Sequence, residues 1–423
     1  MTRPRAVVVV TGSELVRGDR TDRNGPFLAR ELLGLGVEPA RIAVVGDDPA
    51  ELEAALREGF EADLCVVSGG LGPTHDDRTV EMVARAGGLG LRVDPALEGE
   101  IEAFSRGIAV RLRRPYADFE PGVRKQATLP EGALVLGLAG TAPGLVVRSG
   151  KAVVVVLPGP PGELRRLWPR ALESEPVRSV LERAVPPERR VLRFFGASES
   201  AVARALAESG GDGGGLTATV CARDFEIHVD LVVEEQGRER ADEVASSLRE
   251  RLGPWLFAED ERPVEELVLE ACRAHALSLT AAESCTGGLV AGRLTSVAGS
   301  SDVFLGGVVA YSNELKSALL GVPAELLERH GAVSAEAAAA MATGARERLG
   351  AQVAVAVTGI AGPSGGTPEK PVGLVYLHAE GPDGGESREL KLPGDRGAVR
   401  GRATAAALHL VRALLAQNRD EDA

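Results

Sequence analysis

The sequence is poor in aromatic residues, in cysteine and in lysine. Nine Phe, three Tyr and two Trp make up 3% of its 423 residues, so the core must be built from Ala, Val, Leu and Ile. The four cysteines, Cys65, Cys221, Cys272 and Cys285, are irregularly spaced and form no C-x-x-C. That pattern indicates neither a zinc site nor a disulfide framework. No stretch approaches the ~20 apolar residues of a membrane span. The apolar run Ala6–Val10 behind Arg3 and Arg5 is far too short for a signal peptide. The expectation is a reduced, soluble, cytoplasmic protein. Positive charge is also in deficit, with 61 acidic residues against 48 basic and a net charge of -13. A sequence-independent grip on DNA or RNA needs clustered cations, so direct nucleic-acid binding is not expected. Only five of the cations are lysines (Lys125, Lys151, Lys316, Lys370 and Lys391) and the other 43 are arginine. Arg cannot act as a proton acceptor in a protein, whereas Lys can when its pKa is lowered. Each lysine is therefore worth locating.

The length fits two or three domains at roughly 150 residues each. Residues 1–172 alternate short Val-rich runs with helical patterns. Ala6–Val10, Arg41–Val45, Asp63–Val67 and Ala152–Leu157 read as strands; Asn24–Leu35, Pro49–Glu58, a segment from Asp77 and Gly162–Leu172 read as helices. Continuous apolar strands between helices predict a parallel sheet covered on both faces, a doubly wound α/β domain. Residues 173–256 read as a small α+β module, with strands at Arg189–Phe195 and Glu226–Val233, helices at Ser198–Ser209 and Glu239–Leu252, and a Gly-rich loop at Gly210–Gly215. Residues 257–423 form a third, α/β unit. Its strands are Leu277–Ala281, Gly306–Tyr311, Val353–Val357 and Val372–His378. Its helices include Pro263–His275, Gly288–Ser296, the Ala-rich Ser334–Leu349 with Ser334 as cap, and Gly397–Gln417. Residues 419–423 are expected to fray.

Glycine-rich turns follow the strands of the first unit: Thr11-Gly12-Ser13-Glu14, Ser68-Gly69-Gly70-Leu71-Gly72-Pro73-Thr74 and Pro158-Gly159-Pro160-Pro161, with Gly140-Thr141-Ala142-Pro143-Gly144 before the last strand. One such turn is what any tight βα connection needs. Several at one sheet edge suit a bound phosphate, because Gly admits close backbone approach and helix starts offer free N–H groups. The same edge carries Glu14, Asp47, Asp48, Asp76 and Asp77. Asp caps helices well, and Asp48 and Asp77 have that plainer reading. Two adjacent acid pairs plus a Glu instead favour a divalent ion, Mg2+ or similar, held between carboxylates and phosphate oxygens.

In the last unit, Ala282-Glu283-Ser284-Cys285-Thr286-Gly287-Gly288 joins a strand to a helix. Ser and Thr there can simply cap the helix. They can also place a hydroxyl nucleophile beside N–H groups able to hold an oxyanion. A Ser nucleophile needs a base. No Ser-His-Asp arrangement is present, and His330, His378 and His409 read as incidental. Lys316 and Lys370 are the lysines near these loops, and a neutral Lys can replace His.

These motifs resemble CinA, the competence/damage-inducible protein family. Thr11–Leu15 through Asp22-Arg-Asn24, Gly69–Thr79, Arg124-Lys-Gln-Ala127, Gly140–Gly144 and Leu157–Pro161 carry the resemblance in the first unit. Ala282–Gly288, Gly306–Asn313, Lys316, His330–Ser334, Thr358–Pro363 and Lys370–Gly373 carry it in the last. The resemblance implies a molybdopterin-binding-like first domain of the MogA/MoaB type, a KH-like connecting domain and an amidohydrolase domain. The first domain is implied to be a metal-dependent ADP-ribose pyrophosphatase with a site of Glu14, Asp47 or Asp48, Gly69, Gly70 and Asp77. The last is implied to be a nicotinamide mononucleotide deamidase that releases ammonia and needs no cofactor. Where relatives have Asn, Val123 precedes the Arg-Lys-Gln-Ala run, so a polar contact at that edge is expected to be missing. A homodimer is implied as well.

The resulting expectation has Ser284 attack the amide carbon and Lys316, neutral through burial, take its proton. Tyr311 orients Lys316, the N–H groups of Thr286 and Gly287 hold the oxyanion, Thr358 and Gly359 line the ribotide, and Lys370 contacts its phosphate. The rival nucleophile is Cys285, whose thiolate would be intrinsically better. In the first domain Gly12, Ser13, Gly69, Gly70, Gly72, Thr74, Lys125, Gly140, Thr141 and Gly159 are expected to bind substrate. Competing readings of the whole chain are a molybdopterin-handling protein and a competence-related protein whose N-terminal domain hydrolyses nothing.

Overall fold

The computed structural model describes residues 3–417; the expected fraying of residues 419–423 lies outside them. The chain divides into two compact units, Met1–Glu188 and Arg189–Ala423.

The first unit is built on a six-stranded sheet in the order Glu38–Val45, Arg5–Thr11, Leu64–Ser68, Ala152–Leu157, Pro143–Ser149, Leu134–Leu138. The first four strands are parallel. The Val run explains the double winding. Period-two alternation sends Val7 and Val9 to one core and Ala6, Val8 and Val10 to the other. Helices Pro49–Gly59, Thr79–Ala86 and Pro95–Leu112 cover the first face, and Asn24–Gly34, Pro161–Glu173 and Glu175–Leu181 the second. The last two strands are antiparallel, so the sheet is not wholly parallel as expected. Pro143–Ser149 turns straight back into Ala152–Leu157 through Gly150, whose φ of 57° suits a tight hairpin. Helix Glu175–Leu181 buries Val177 and Val180 in the second core, which carries this unit past residue 172.

The second unit holds two sheets. Strands Leu216–Arg223, Glu226–Val233, Glu188–Phe194 and Leu256–Ala258 form one, covered by helices Glu199–Glu208 and Arg238–Leu252. The other has the order Phe304–Val309, Leu279–Glu283, Val353–Gly359, Leu374–Gly381, Gly384–Lys391, with its first three strands parallel. Helices Val264–Ala274, Leu289–Ser296 and Arg396–Gln417 cover one face; Asn313–Leu320 and Ala335–Leu349 cover the other. In both α/β sheets a central strand has its successors on opposite sides, which opens a crevice at the carboxyl ends. Among the described residues no helix is long and apolar enough to cross a membrane.

Candidate active sites

The crevice of the second unit brings three loops together. Ser284 follows the central strand Leu279–Glu283, and its N–H donates to the Val357 carbonyl (2.9 Å) of the neighbouring strand. Lys316 lies in helix Asn313–Leu320, whose start is capped by Ser312 Oγ accepting from the Leu315 N–H (3.2 Å). Lys316 Nζ sits 3.1 Å from Ser284 Oγ and donates to the carbonyls of Ala310 (2.9 Å) and Tyr311 (3.3 Å). Lys316 is 1% exposed and Ser284 8%. Burial pulls the Lys316 ammonium below the ordinary lysine range. Cys285 is also buried, and burial pushes its thiol up to about 11. A thiol so held is protonated at neutral pH and is a poor nucleophile.

Two groups absent from the expected site hold this loop. The buried Glu283 carboxylate accepts N–H bonds from Gly288 (2.9 Å), Val290 (3.1 Å) and Ala291 (2.9 Å), fixing the start of helix Leu289–Ser296. Arg400, from the closing helix, donates to the carbonyls of Cys285 (3.1 Å) and Thr286 (2.7 Å). Glu283 stood in plain view within the motif. Arg400 lies far along the chain in a featureless Ala-rich helix, and no local pattern could single it out.

Three expected roles are corrected. The Tyr311 hydroxyl does not face Lys316: it accepts from Arg396 (3.0 Å), the residue is 59% exposed, and only its main-chain carbonyl reaches the lysine. The Gly287 N–H closes a turn onto the Ser284 carbonyl (3.1 Å) and is not free for an oxyanion; the residue's φ of 59° is what that turn requires. Lys370 donates to the carbonyls of His330 and Val333, each at 2.7 Å, and so straps the preceding loop. Thr286 is fully buried, with a hydroxyl that has no partner among the described residues. Thr358, also fully buried, donates to the Ala332 carbonyl (2.7 Å). Gly359 packs so closely on Val375 that a Cβ would crowd it.

In the first unit a cavity of about 680 Å³ opens at the carboxyl ends of the parallel strands. Gly12, Glu14, Asp47, Gly69, Gly70, Asp76, Asp77 and Gly159 lie in its wall, as expected residues brought together. Gly69 and Gly70 have φ of 107° and 64°, which lets the chain turn beneath the cavity. The buried Asn24 bridges the loops, with Nδ2 donating to Ser68 Oγ (2.9 Å) and to the Gly159 carbonyl (2.8 Å). Asp22 accepts the Asn24 N–H at 2.9 Å. Neither is singled out by the sequence as a site residue: Asn24 is the first residue of helix Asn24–Gly34 and Asp22 lies just before it, so both read as a helix start.

The acids are less available than their number suggests. Asp47 accepts from the Ser13 N–H (3.0 Å) and Ser13 Oγ (2.5 Å). Asp77 accepts from the Thr74 N–H (3.0 Å) and from its hydroxyl. Asp48 is the N-cap of helix Pro49–Gly59, accepting from Ala50 (2.9 Å) and Glu51 (3.1 Å); it is absent from the cavity wall, so its place in a metal set is corrected. Among the described residues no group of three or more His, Cys, Asp or Glu could hold a metal. The remaining fit is a shell of one or two carboxylates, Glu14 foremost, completed by phosphate oxygens and water. Gly72 and Lys125 line a smaller cavity of about 210 Å³, and Lys125 donates to the Thr74 carbonyl. Gly140 and Thr141 lie outside both walls: Thr141 Oγ1 accepts from Gln126 (3.3 Å), and a Cβ on Gly140 would meet Glu163. Val123 packs in the hydrophobic core.

Comparison with known proteins agrees with this architecture. Residues 7–176 match the family model described as a probable molybdopterin binding domain, 189–258 the damage-inducible protein CinA KH domain, and 261–415 the CinA C-terminal domain. A CinA-like protein of Mycolicibacterium gilvum is 45% identical over 97% of this chain and 98% of its own. One of Mycobacterium tuberculosis is 45% identical over 97% of both chains. Among solved structures, the competence/damage inducible protein CihA from Agrobacterium tumefaciens is 43% identical and covers 37% of this chain and 99% of its own, with a TM-score of 0.35.

Proposed function

Because the chain belongs to the CinA family, we propose that its C-terminal domain is an amidohydrolase that converts nicotinamide mononucleotide to the acid and releases ammonia. The observation that carries this reading is the buried Ser284–Lys316 contact of 3.1 Å. Neutral Lys316 takes the Ser284 proton as Oγ bonds to the amide carbon. The tetrahedral intermediate then expels the amide nitrogen, which leaves as ammonia with the proton returned by Lys316. Water attacks the ester, Lys316 again accepting a proton, and Ser284 is regenerated as the carboxylate departs. The Thr286 N–H is the oxyanion donor in this scheme, and the Arg400 and Glu283 bonds hold it in place. The test is ammonia release from nicotinamide mononucleotide by the full chain. Ser284→Ala must abolish it and Cys285→Ala must leave it; turnover surviving in Ser284→Ala refutes the assignment.

For the N-terminal domain the reading is cleavage of the pyrophosphate of ADP-ribose. A divalent ion would be held by Glu14 with help from Asp76 or Asp77, and would neutralise phosphate charge and polarise the attacked phosphorus. What supports it is the cavity of about 680 Å³ at the switch point, with acids and glycine turns in one wall. The hydrogen-bonded state of Asp47 and Asp77 favours the alternative, a domain that binds a molybdopterin-like or nucleotide ligand without hydrolysing it. Adenosine monophosphate formed from ADP-ribose with Mg2+, and lost with EDTA, decides between them. Self-association as a dimer belongs to the same proposal, and sedimentation of the full chain tests it.

A further inference from the structure

A cavity of about 950 Å³ lies in the second unit, between the four-stranded sheet and the closing helix Arg396–Gln417. Ser284 and Lys316 are not in its wall, and its size is that of a small-molecule site.

Three independent features point to a ligand. The first is its lip. Strands Leu216–Arg223 and Glu226–Val233 are joined by a two-residue turn, Asp224–Phe225, with φ of 48° and 68°. Such turns favour Asn-Gly, and a bulky residue there is strained. Strain of this kind collects at ligand clamps. The Phe225 ring lies against Gly401, where a Cβ would overlap it, and the Arg402 guanidinium stands 5.3 Å from the ring centre.

The second is charge. Arg388, Arg402 and Arg412 line the cavity against Asp224 and Glu226. Glu226 is already satisfied by Arg193 (2.5 Å), His228 (3.3 Å) and His409 (2.9 Å). Arg388 is paired with Glu386 (2.5 Å), so the cationic part of the wall is Arg402 and Arg412.

The third is a pair of orphans. His409 is 3% exposed and stacks on Phe195 with ring centres 3.8 Å apart. Its Nε2 faces Glu226 and so carries the proton, while Nδ1 has no partner among the described residues; Arg412 Nε is likewise buried and has no partner among them. Unpaired buried groups in a native wall call for an explanation, and both residues belong to this wall.

We propose that this cavity binds a planar aromatic ligand bearing an anionic group, of mononucleotide size, with its ring against Phe225 and its anion held by Arg402 and Arg412. The cavity is separate from both candidate active sites, and the inference does not rest on either activity.

Trp255 is the reporter. It packs beside Gly196, a residue of the cavity wall, and the chain's other tryptophan, Trp168, belongs to the first unit. Tryptophan fluorescence of the full chain is titrated with adenosine monophosphate, adenosine and inorganic phosphate. A saturable change with adenosine monophosphate alone is expected. It should vanish in Trp255→Phe and weaken about tenfold in Arg402→Ala or in Arg412→Ala, with melting temperatures confirming the fold of each. An equal response to adenosine, no response to adenosine monophosphate, a signal that survives Trp255→Phe, or unchanged affinity in both arginine variants overturns the proposal.

Discussion

Lys316 Nζ has three hydrogen-bond partners among the described residues, Ser284 Oγ at 3.1 Å and the carbonyls of Ala310 and Tyr311 at 2.9 and 3.3 Å, and no carboxylate is one of them. Burial without a carboxylate partner favours the neutral amine over the ammonium. In the amine form its two N–H bonds would serve the carbonyls and leave the lone pair to the serine hydroxyl, whereas the ammonium form donates to all three oxygens. A charged lysine would need a counter-ion, and the adjacent Glu283 carboxylate is occupied by helix N–H groups.

The pH behaviour follows from the sign of that shift. The amine form is the active base, so turnover of nicotinamide mononucleotide should rise with pH through the lowered Lys316 pKa, below the ~10.4 of free lysine. Between the folded and unfolded values the unfolded chain binds the extra proton, so stability also rises with pH there. Lys316→Met should remove both dependences and raise the melting temperature near neutral pH. Lys316→Arg should lower turnover by about 10² to 10⁴. Near-normal turnover in the arginine variant would remove Lys316 as base.

Cys285 should be inert. With burial holding its thiol at about 11 and those of Cys65 and Cys272 at about 12, folded protein at pH 7.5 should react with iodoacetamide mainly at the half-buried Cys221. Mass spectrometry of the digested adduct reads the site. Rapid alkylation of Cys285 with loss of activity would reopen the choice of nucleophile.

The loop that carries Ser284 depends on Glu283. Glu283→Ala leaves three N–H groups without their acceptor and should cost about 2 to 4 kcal/mol, with ammonia release falling in parallel. Glu283→Gln keeps one carbonyl acceptor and should recover part of both. Thermal melting and turnover are measured together. A stable, fully active Glu283→Ala would show that the loop is held elsewhere, by Arg400.

What the sequence made legible was set by local rules. The Val runs showed the strands because period-two burial on both faces leaves nothing but apolar residues. Ser284 and Lys316 were legible because strand ends and loop motifs mark them. The antiparallel Pro143–Ser149 and Leu216–Arg223 were not: one begins inside a Gly/Pro turn motif, and the other follows a Gly-rich loop and alternates small and polar residues on an exposed face. Hydrogen-bond partners were least legible. Tyr311, Gly287, Lys370 and Asp48 all sit in the expected loops, yet each meets a main-chain or arginine partner contributed by a local turn or a distant segment. Arg400 and Arg396 are such distant contributors, and composition hides two arginines among 43.

Glu226 should set the acid limit of the second unit. Burial alone would raise its pKa, but hydrogen bonds from His228 and His409 and the Arg193 charge hold it well below the carboxylate range. A depressed carboxylate contributes stability above its unfolded pKa of ~4.3 and loses it as pH falls through the folded value. Burial also keeps His409 below the ordinary histidine range. The unfolded histidine takes up a proton near pH ~6.5 while the folded one resists, so stability begins to fall there as acid is added. Melting of the full chain should therefore show a gentle loss below about pH 6.5 and a steep one below about 4. Glu226→Gln should cost about 3 to 5 kcal/mol at neutral pH, because Arg193, only 4% exposed, is left buried without its charge partner. The same variant should flatten the steep limb and leave the gentle one. A variant whose acid profile is unchanged would show that other carboxylates govern the transition.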